Sequence, residues 1–132
     1  MNENELSKVI VDACLEIHKT FGPGLLESVY EEFLCRELSL RGLTFKRQEP
    51  ISVSYKGVKL NCSFRADIIV EDLVIIEVKA IEKVMPVHKA QLLTYLKITD
   101  KKLGLLINFN EALVKDGIHR LINGIIEPLK KQ

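Results

Sequence analysis

Apolar residues recur at helical spacing in the first third of the chain. Leu6, Val9, Ile10, Ala13, Cys14, Ile17 and Phe21 form one stripe over residues 5–20, the pattern of a helix with one face toward a core. Gly22-Pro23-Gly24 stops that helix. A second is expected over about 25–41, burying Leu26, Val29, Tyr30, Phe33, Leu34 and Leu38 and ending before Gly42. The period then changes to two. Ile51, Val53 and Tyr55 alternate with polar residues, as do Val58, Leu60 and Cys62, and Lys56-Gly57 between them reads as a two-residue hairpin turn. Residues 64–70 and 74–80 are richer in β-branched side chains and read as central strands. Pro86 opens a third helix to about 98, and residues 103–109 read as a buried strand. Ile118, Leu121, Ile122, Ile125 and Ile126 place a last helix over about 117–127. A helix between strands 74–80 and 103–109 implies a crossover with parallel pairing, so a mixed sheet with helices packed against it is expected.

Composition narrows this picture. The 132 residues fit one domain spanning 1–132, and at 47% hydrophobic that domain can bury a core without staples. No apolar run approaches the ~20 residues of a membrane span. The opening MNENELSK is charged where a signal peptide is apolar, so a cytoplasmic location is expected. Cys14, Cys35 and Cys62 make an odd count with no CxxC pair, and they read as small buried hydrophobes. A net charge of +1 excludes a protein coated in basic residues for bulk nucleic-acid binding. Any polyanion must meet local positive charge, with Lys46–Arg47, Lys56–Lys59 and Lys101–Lys102 as candidate pairs.

Asp67 and Glu77 lie inside strongly apolar strands, where ionised carboxylates are costly to bury. Strand alternation puts Glu77 and Lys79 on one face and Asp67 opposite Ala66, Ile68 and Val70. If Glu71-Asp72-Leu73 is a three-residue turn, Val70 pairs with Val74 and Asp67 faces Glu77; a two-residue turn sets the register against the alternation. Two facing carboxylates repel unless something positive lies between them. Their hard oxygens suit Mg²⁺ or Mn²⁺. Lys79, beside such an ion, can orient or help deprotonate an attacking water. The competing structural reading is a buried Asp–Lys–Glu ion-pair network. Glu27 falls at one border of the second helix's apolar arc, where it either reaches a site beneath the helix or turns to water, and Glu37 lies near the same arc. Gln91 and Tyr95 share a helix face as an i, i+4 pair and offer donors to a phosphate, with His88 one turn earlier as a bystander.

Glu27, Asp67, Glu77-Val78-Lys79 and Gln91 through Tyr95 follow one another in an order that resembles the PD-(D/E)XK nuclease superfamily. Within it, Gly24-Leu25-Leu26-Glu27-Ser28-Val29-Tyr30 is similar to the motif naming the GxxExxY family. Arg65-Ala66-Asp67, Glu77-Val78-Lys79-Ala80 and Leu106-Ile107-Asn108-Phe109 look alike as well. Ala66 stands where the superfamily's name has Pro, a minor departure. The resemblance implies an α/β, restriction-endonuclease-like αβββαβ core. It implies Asp67 and Glu77 as metal ligands, the Val78 carbonyl as a third oxygen, Glu27 completing the acidic cluster, and Lys79 activating water. Gln91 and Tyr95 match a QxxxY motif that contacts substrate. The activity implied is Mg²⁺-dependent hydrolysis of phosphodiesters in nucleic acid, with DNA the first expectation. The alternative is a non-catalytic nucleic-acid-binding or regulatory module on the same fold. A domain this small needs help to embrace a duplex, which makes a second copy of the chain a candidate partner.

Overall fold

The computed structural model of the protein describes residues 1–60 and 64–128. Two helices lead, α1 (Glu3–Phe21) and α2 (Glu27–Leu40). Asn2 caps α1 reciprocally: its side chain accepts the Glu5 N–H at 2.9 Å, and the Glu5 carboxylate accepts the Asn2 N–H at 3.3 Å. Strands β1 (Phe45–Pro50), β2 (Val53–Tyr55), β3 (Val58–Leu60), β4 (Arg65–Val70) and β5 (Val74–Lys79) follow. Then come α3 (Pro86–Thr99), β6 (Leu103–Asn108), a 3-10 turn at Val114–Gly117 and β7 (Ile118–Ile122).

The sheet has five strands in the order β1-β4-β5-β6-β7. All neighbours are antiparallel except β5 and β6, which run parallel with α3 crossing between them. The mixed sheet is thus the expected one. Each face of it has its own core. Ile68, Val70, Ile76, Val78, Leu105 and Ile107 pack against α1 and α2; Ile69, Ile75 and Leu106 pack against Leu92, Tyr95 and Leu96 of α3. Among the described residues, no helix is long and apolar enough to cross a membrane.

Two expectations need correction. Residues 118–122 are a strand, not part of a helix over 117–127. An i, i+4 spacing puts residues on one side of a strand as well as of a helix, so Ile118 and Ile122 did not discriminate. Ile118 and Leu121 do: one packs with the α1/α2 core and the other with the α3 core, on opposite faces of the sheet. Pairing β7 also satisfies the outer edge of β6, an apolar strand whose backbone groups are buried. The second is Leu26, expected among the buried residues of the second helix but 73% exposed at the N-cap of α2. Strand β1 is an element that the apolar pattern does not predict. Its sequence, FKRQEP, shows no apolar alternation because it is an edge strand with most side chains exposed.

The hairpin turn stands as expected. Tyr55 pairs with Val58 across Lys56 and Gly57, both at positive φ (47° and 81°), as the primed turns of two-residue hairpins require. Cys62 lies outside the described residues.

Gly117 closes the 3-10 turn against the end of β6. A Cβ there would sit 2.1 Å from the Asn108 carbonyl oxygen, far inside contact distance. Gly117→Ala is therefore expected to cost about 1–3 kcal/mol and to lower the melting temperature by several degrees, as read by calorimetry. An unchanged melting temperature would mean that the turn relaxes freely.

Candidate active site

The turn between β4 and β5 sets the site. Val70 pairs with Val74, Ile69 with Ile75 and Ile68 with Ile76, the register of a three-residue turn. Glu71 and Asp72 take left-handed backbone (φ 50° and 56°), a region that the short side chain of aspartate at residue 72 tolerates well. One step beyond Ile68↔Ile76 the ladder is completed by side chains. Asp67 Oδ2 accepts the Val78 N–H at 2.9 Å, and Glu77 Oε1 accepts the Asp67 N–H at 3.3 Å. The two carboxylates are thus built into the seam where β4 and β5 part.

Asp67 also interrupts the pairing on its other side. The β1–β4 register pairs Arg47 with Ile68 and Glu49 with Ala66, skipping Gln48, which sits at φ 51°. Ala66 packs with Ile69 in the α3 core although the two stand an odd number of positions apart. Simple alternation, which would have kept Ala66 with Ile68, does not describe the strand at Asp67.

Glu77 is only 6% exposed. Burial, and then the charge of Asp67, push its carboxyl up to about 9, against a smaller opposing pull from Lys79. Without a cation the pair therefore retains a proton at neutral pH. Lys79 follows on the same strand, half-buried, and the residues around it are fixed by β6. Its carbonyl accepts the Phe109 N–H at 2.9 Å. Asn108, fully buried, accepts the Ile81 N–H at 3.1 Å and donates to the Ile81 carbonyl at 2.9 Å.

The titration of Glu77 has a direct consequence for stability. The unfolded chain releases this proton in the ordinary carboxylate range, the folded chain only near 9. Between those limits the folded state holds more protons, so its stability is fully present at low pH and declines as pH rises toward 9, by at most about 1.4 kcal/mol per pH unit. In EDTA, the melting temperature is expected to fall over that range, and Glu77→Gln should abolish the fall. A melting temperature that rises with pH in the wild type would contradict the assignment.

Glu27 is the first residue of α2, exposed, and lines an open cavity of about 490 Å³ with Leu26, Ser28, Glu31, Gln48 and Asp67. Its place follows from the preceding turn. Gly24 has φ 109°, and the Tyr30 hydroxyl donates to the Gly22 carbonyl at 2.5 Å and accepts the Leu25 N–H at 3.2 Å. The Tyr30 ring stacks on Phe109 at 4.5 Å. Gly24 and Tyr30 thus shape the chain that presents Glu27. On α3, Tyr95 is buried with its ring 5.9 Å from Phe64, and Gln91 is exposed one turn earlier. Burial first, and then the charges of Glu77 and Asp67, raise the Tyr95 hydroxyl, which keeps it a proton-bearing donor beside them. His88 Nδ1 accepts the Met85 N–H at 2.8 Å and so caps α3.

Three residues were not anticipated. Glu31 is buried, paired with Arg47 at 2.6 Å, and accepts from Gln48 Nε2 at 2.7 Å. Gln48 Nε2 also reaches Asp67 Oδ1 at 3.3 Å, so β1 ties α2 to the candidate ligand. The sequence held a signal for Glu31: it stands three before Leu34 and seven before Leu38, on the apolar stripe. Asn108 was legible as a lone amide inside LGLLINF, since a buried amide needs partners. Nothing in the sequence marks Gln48. Two of the candidate cations are also occupied: Arg47 by Glu31 and Glu32, and Lys101 by Asp72 at 3.0 Å.

The donor chemistry fits a hard divalent cation. Asp67 and Glu77 supply neighbouring carboxylates, and a cation would offset both the burial and the Asp67 charge that together hold a proton on Glu77. Among the described residues, no group of three or more His, Cys, Asp or Glu gathers closely enough to hold an ion by itself. Such an ion would therefore need backbone, water or phosphate oxygens in addition to the two carboxylates.

No curated protein and no solved structure matched the chain. One family profile did, over residues 4–121, which takes in both leading helices, the carboxylate strands, the crossover helix and nearly all of β7. That profile, and the restriction-endonuclease-like arrangement of a mixed five-stranded sheet between helices, place the chain in the PD-(D/E)XK nuclease superfamily.

Proposed function

We propose that this protein is a metal-dependent nuclease hydrolysing phosphodiester bonds in nucleic acid, with DNA as the first substrate to test, and that it belongs to the GxxExxY branch. The observation that carries the reading is the Asp67–Glu77 pair at the parting of β4 and β5, with Lys79 two residues on. Asp67, Glu77 and the Val78 carbonyl would hold Mg²⁺ or Mn²⁺, with Glu27 of α2 lining a cavity that Asp67, but not Glu77 or Val78, also lines. When bound, the cation supplies Lewis acidity and neutralises charge on the phosphate.

The chain's own groups do the rest. Lys79 orients the attacking water and takes part in moving its proton. Tyr95 and Gln91 donate hydrogen bonds that seat the substrate phosphates. Asn108 and the Phe109 N–H hold the strand end behind Lys79, so the ammonium needs little reorganisation to act. A cytoplasmic location belongs to the same reading: Cys14 and Cys35 are buried free thiols that need no oxidising compartment.

The test is a calorimetric titration with Mg²⁺ and Mn²⁺, followed by cleavage assays on labelled single- and double-stranded DNA and RNA. Metal binding with cleavage of at least one substrate supports the reading. Nucleic-acid binding without cleavage under either metal supports a non-catalytic module instead, a reading favoured by the finding that, among the described residues, no three His, Cys, Asp or Glu gather to hold a metal ion.

A further inference from the structure

The short hairpin β2–β3 stands apart from the five-stranded sheet as a two-stranded sheet of its own. It leaves the sheet between Pro50 and Arg65, which pair with each other at the end of the β1–β4 ladder, two positions from Asp67. Its base is held beside the site: Ile51 N–H donates to the Phe64 carbonyl at 2.8 Å, and Phe64 lies against Tyr95.

Its two faces differ. The cross-strand pairs Tyr55↔Val58 and Val53↔Leu60 present one side, while Ser54↔Lys59 presents the other. Tyr55 is 66% exposed, Val58 59% and Leu60 48%. Apolar side chains brought together on so small an element, at such exposure, mark an interaction site. The charge of the segment says what kind. From Pro50 to Ala66 the chain carries Lys56, Lys59 and Arg65 and no Asp or Glu, in a protein whose net charge is only +1. At the site itself, Glu27, Glu31, Asp67 and Glu77 are acidic, and Arg47 is occupied by carboxylates. A polyanion approaching that end of the sheet meets complementary charge on the hairpin.

We infer that the β2–β3 hairpin is a strand-gripping arm for single-stranded nucleic acid, with a base stacked on Tyr55 and phosphates met by Lys56 at the turn and, where the strand passes round the hairpin edge, by Lys59 of the opposite face. Lys56 Nζ lies 5.4 Å from the centroid of the Tyr55 ring, which puts a cation within reach of the phosphates flanking a base stacked on the ring's other face. Stacking on a lone tyrosine needs an unpaired base, which selects a single strand or a frayed end over an intact duplex. The inference names the substrate class of the proposed nuclease and so rests on that reading for its purpose, though binding can be measured without cleavage.

The experiment uses the full chain, a fluorescein-labelled mixed-sequence DNA 20-mer, its duplex, and EDTA to prevent cutting. Tyr55→Ala should weaken single-strand binding by about tenfold or more. The double variant Lys56→Asn, Lys59→Gln, with Asn chosen for the left-handed backbone at residue 56, should lower the log–log salt slope by about 1.4. Thermal melts of both variants should match the wild type, since these side chains are exposed. Wild-type preference for the duplex, or variants that bind the single strand as the wild type does, would overturn the inference. Conversion of a dimer to a monomer by Tyr55→Ala in sedimentation equilibrium, with DNA binding intact, would reassign the face to a second copy of the chain. Metal-dependent cleavage with variant-insensitive binding would remove the arm and leave the nuclease. Variant-sensitive single-strand binding with no cleavage under any metal would do the reverse.

Discussion

Replacing Glu77 or Lys79 by alanine is expected to reduce metal-dependent phosphodiester cleavage at least a hundredfold in each case, for different reasons. Glu77→Ala removes one of two facing carboxylates, so calorimetry should show Mn²⁺ binding lost together with cleavage. Lys79→Ala leaves both carboxylates and their contacts with the Asp67 and Val78 N–H groups in place. Metal binding should then persist while turnover falls. The stability readout separates the site from a mere ion-pair network. In a network, each substitution strands a buried partner charge and destabilises the fold by several kcal/mol. In the proposed site, the metal-free Glu77→Ala protein should melt only slightly below the wild type, the loss limited to the Asp67 N–H acceptor and a small cavity, because burial and Asp67 already disfavour that charge. A large loss of melting temperature in EDTA for both variants, with no metal bound by the wild type, would favour the network.

Phe109→Ala carries the largest expected effect on folding. The ring is fully buried, stacks on Tyr30, and belongs to the core under α1 and α2. Truncation should cost about 3–5 kcal/mol, the lost burial of the ring plus the cavity left behind, and lower the melting temperature by about 10–20 °C. The same residue joins two parts of the site and ties them to α1. Its N–H bonds the Lys79 carbonyl, its carbonyl accepts from His18 Nε2 at 3.2 Å, and its ring backs the Tyr30 clamp that presents Glu27. Activity per folded molecule should therefore fall as well, measured well below the lowered melting point. A variant with full stability and reduced turnover would place the ring's role in substrate contact instead.

Much of this architecture was legible in the sequence because period and chemistry agreed. The apolar stripe of α1, the Lys56-Gly57 turn and the crossover between β5 and β6 each followed from one physical rule. So did the register through Val70↔Val74, where a two-residue turn would have turned the apolar side chains to the wrong face. The failures have equally specific causes. An i, i+4 repeat of isoleucines fits helix and strand alike, so β7 was misread; a polar edge strand has no alternation to read, so β1 was missed. At the site, the residues visible beforehand were those whose burial is anomalous for their charge, Asp67 and Glu77. The supporting Glu31–Gln48 contact could not be foreseen, because it depends on a left-handed residue interrupting a strand pair, and that is a tertiary choice.

The most direct measurement is anomalous diffraction from a crystal soaked in Mn²⁺. One strong peak is expected between the Asp67 and Glu77 carboxylates, within coordination distance of the Val78 carbonyl, and it should disappear in Glu77→Ala crystals soaked identically. Ordered carboxylates with no peak between them, or a peak that survives Glu77→Ala, would contradict the proposed metal site.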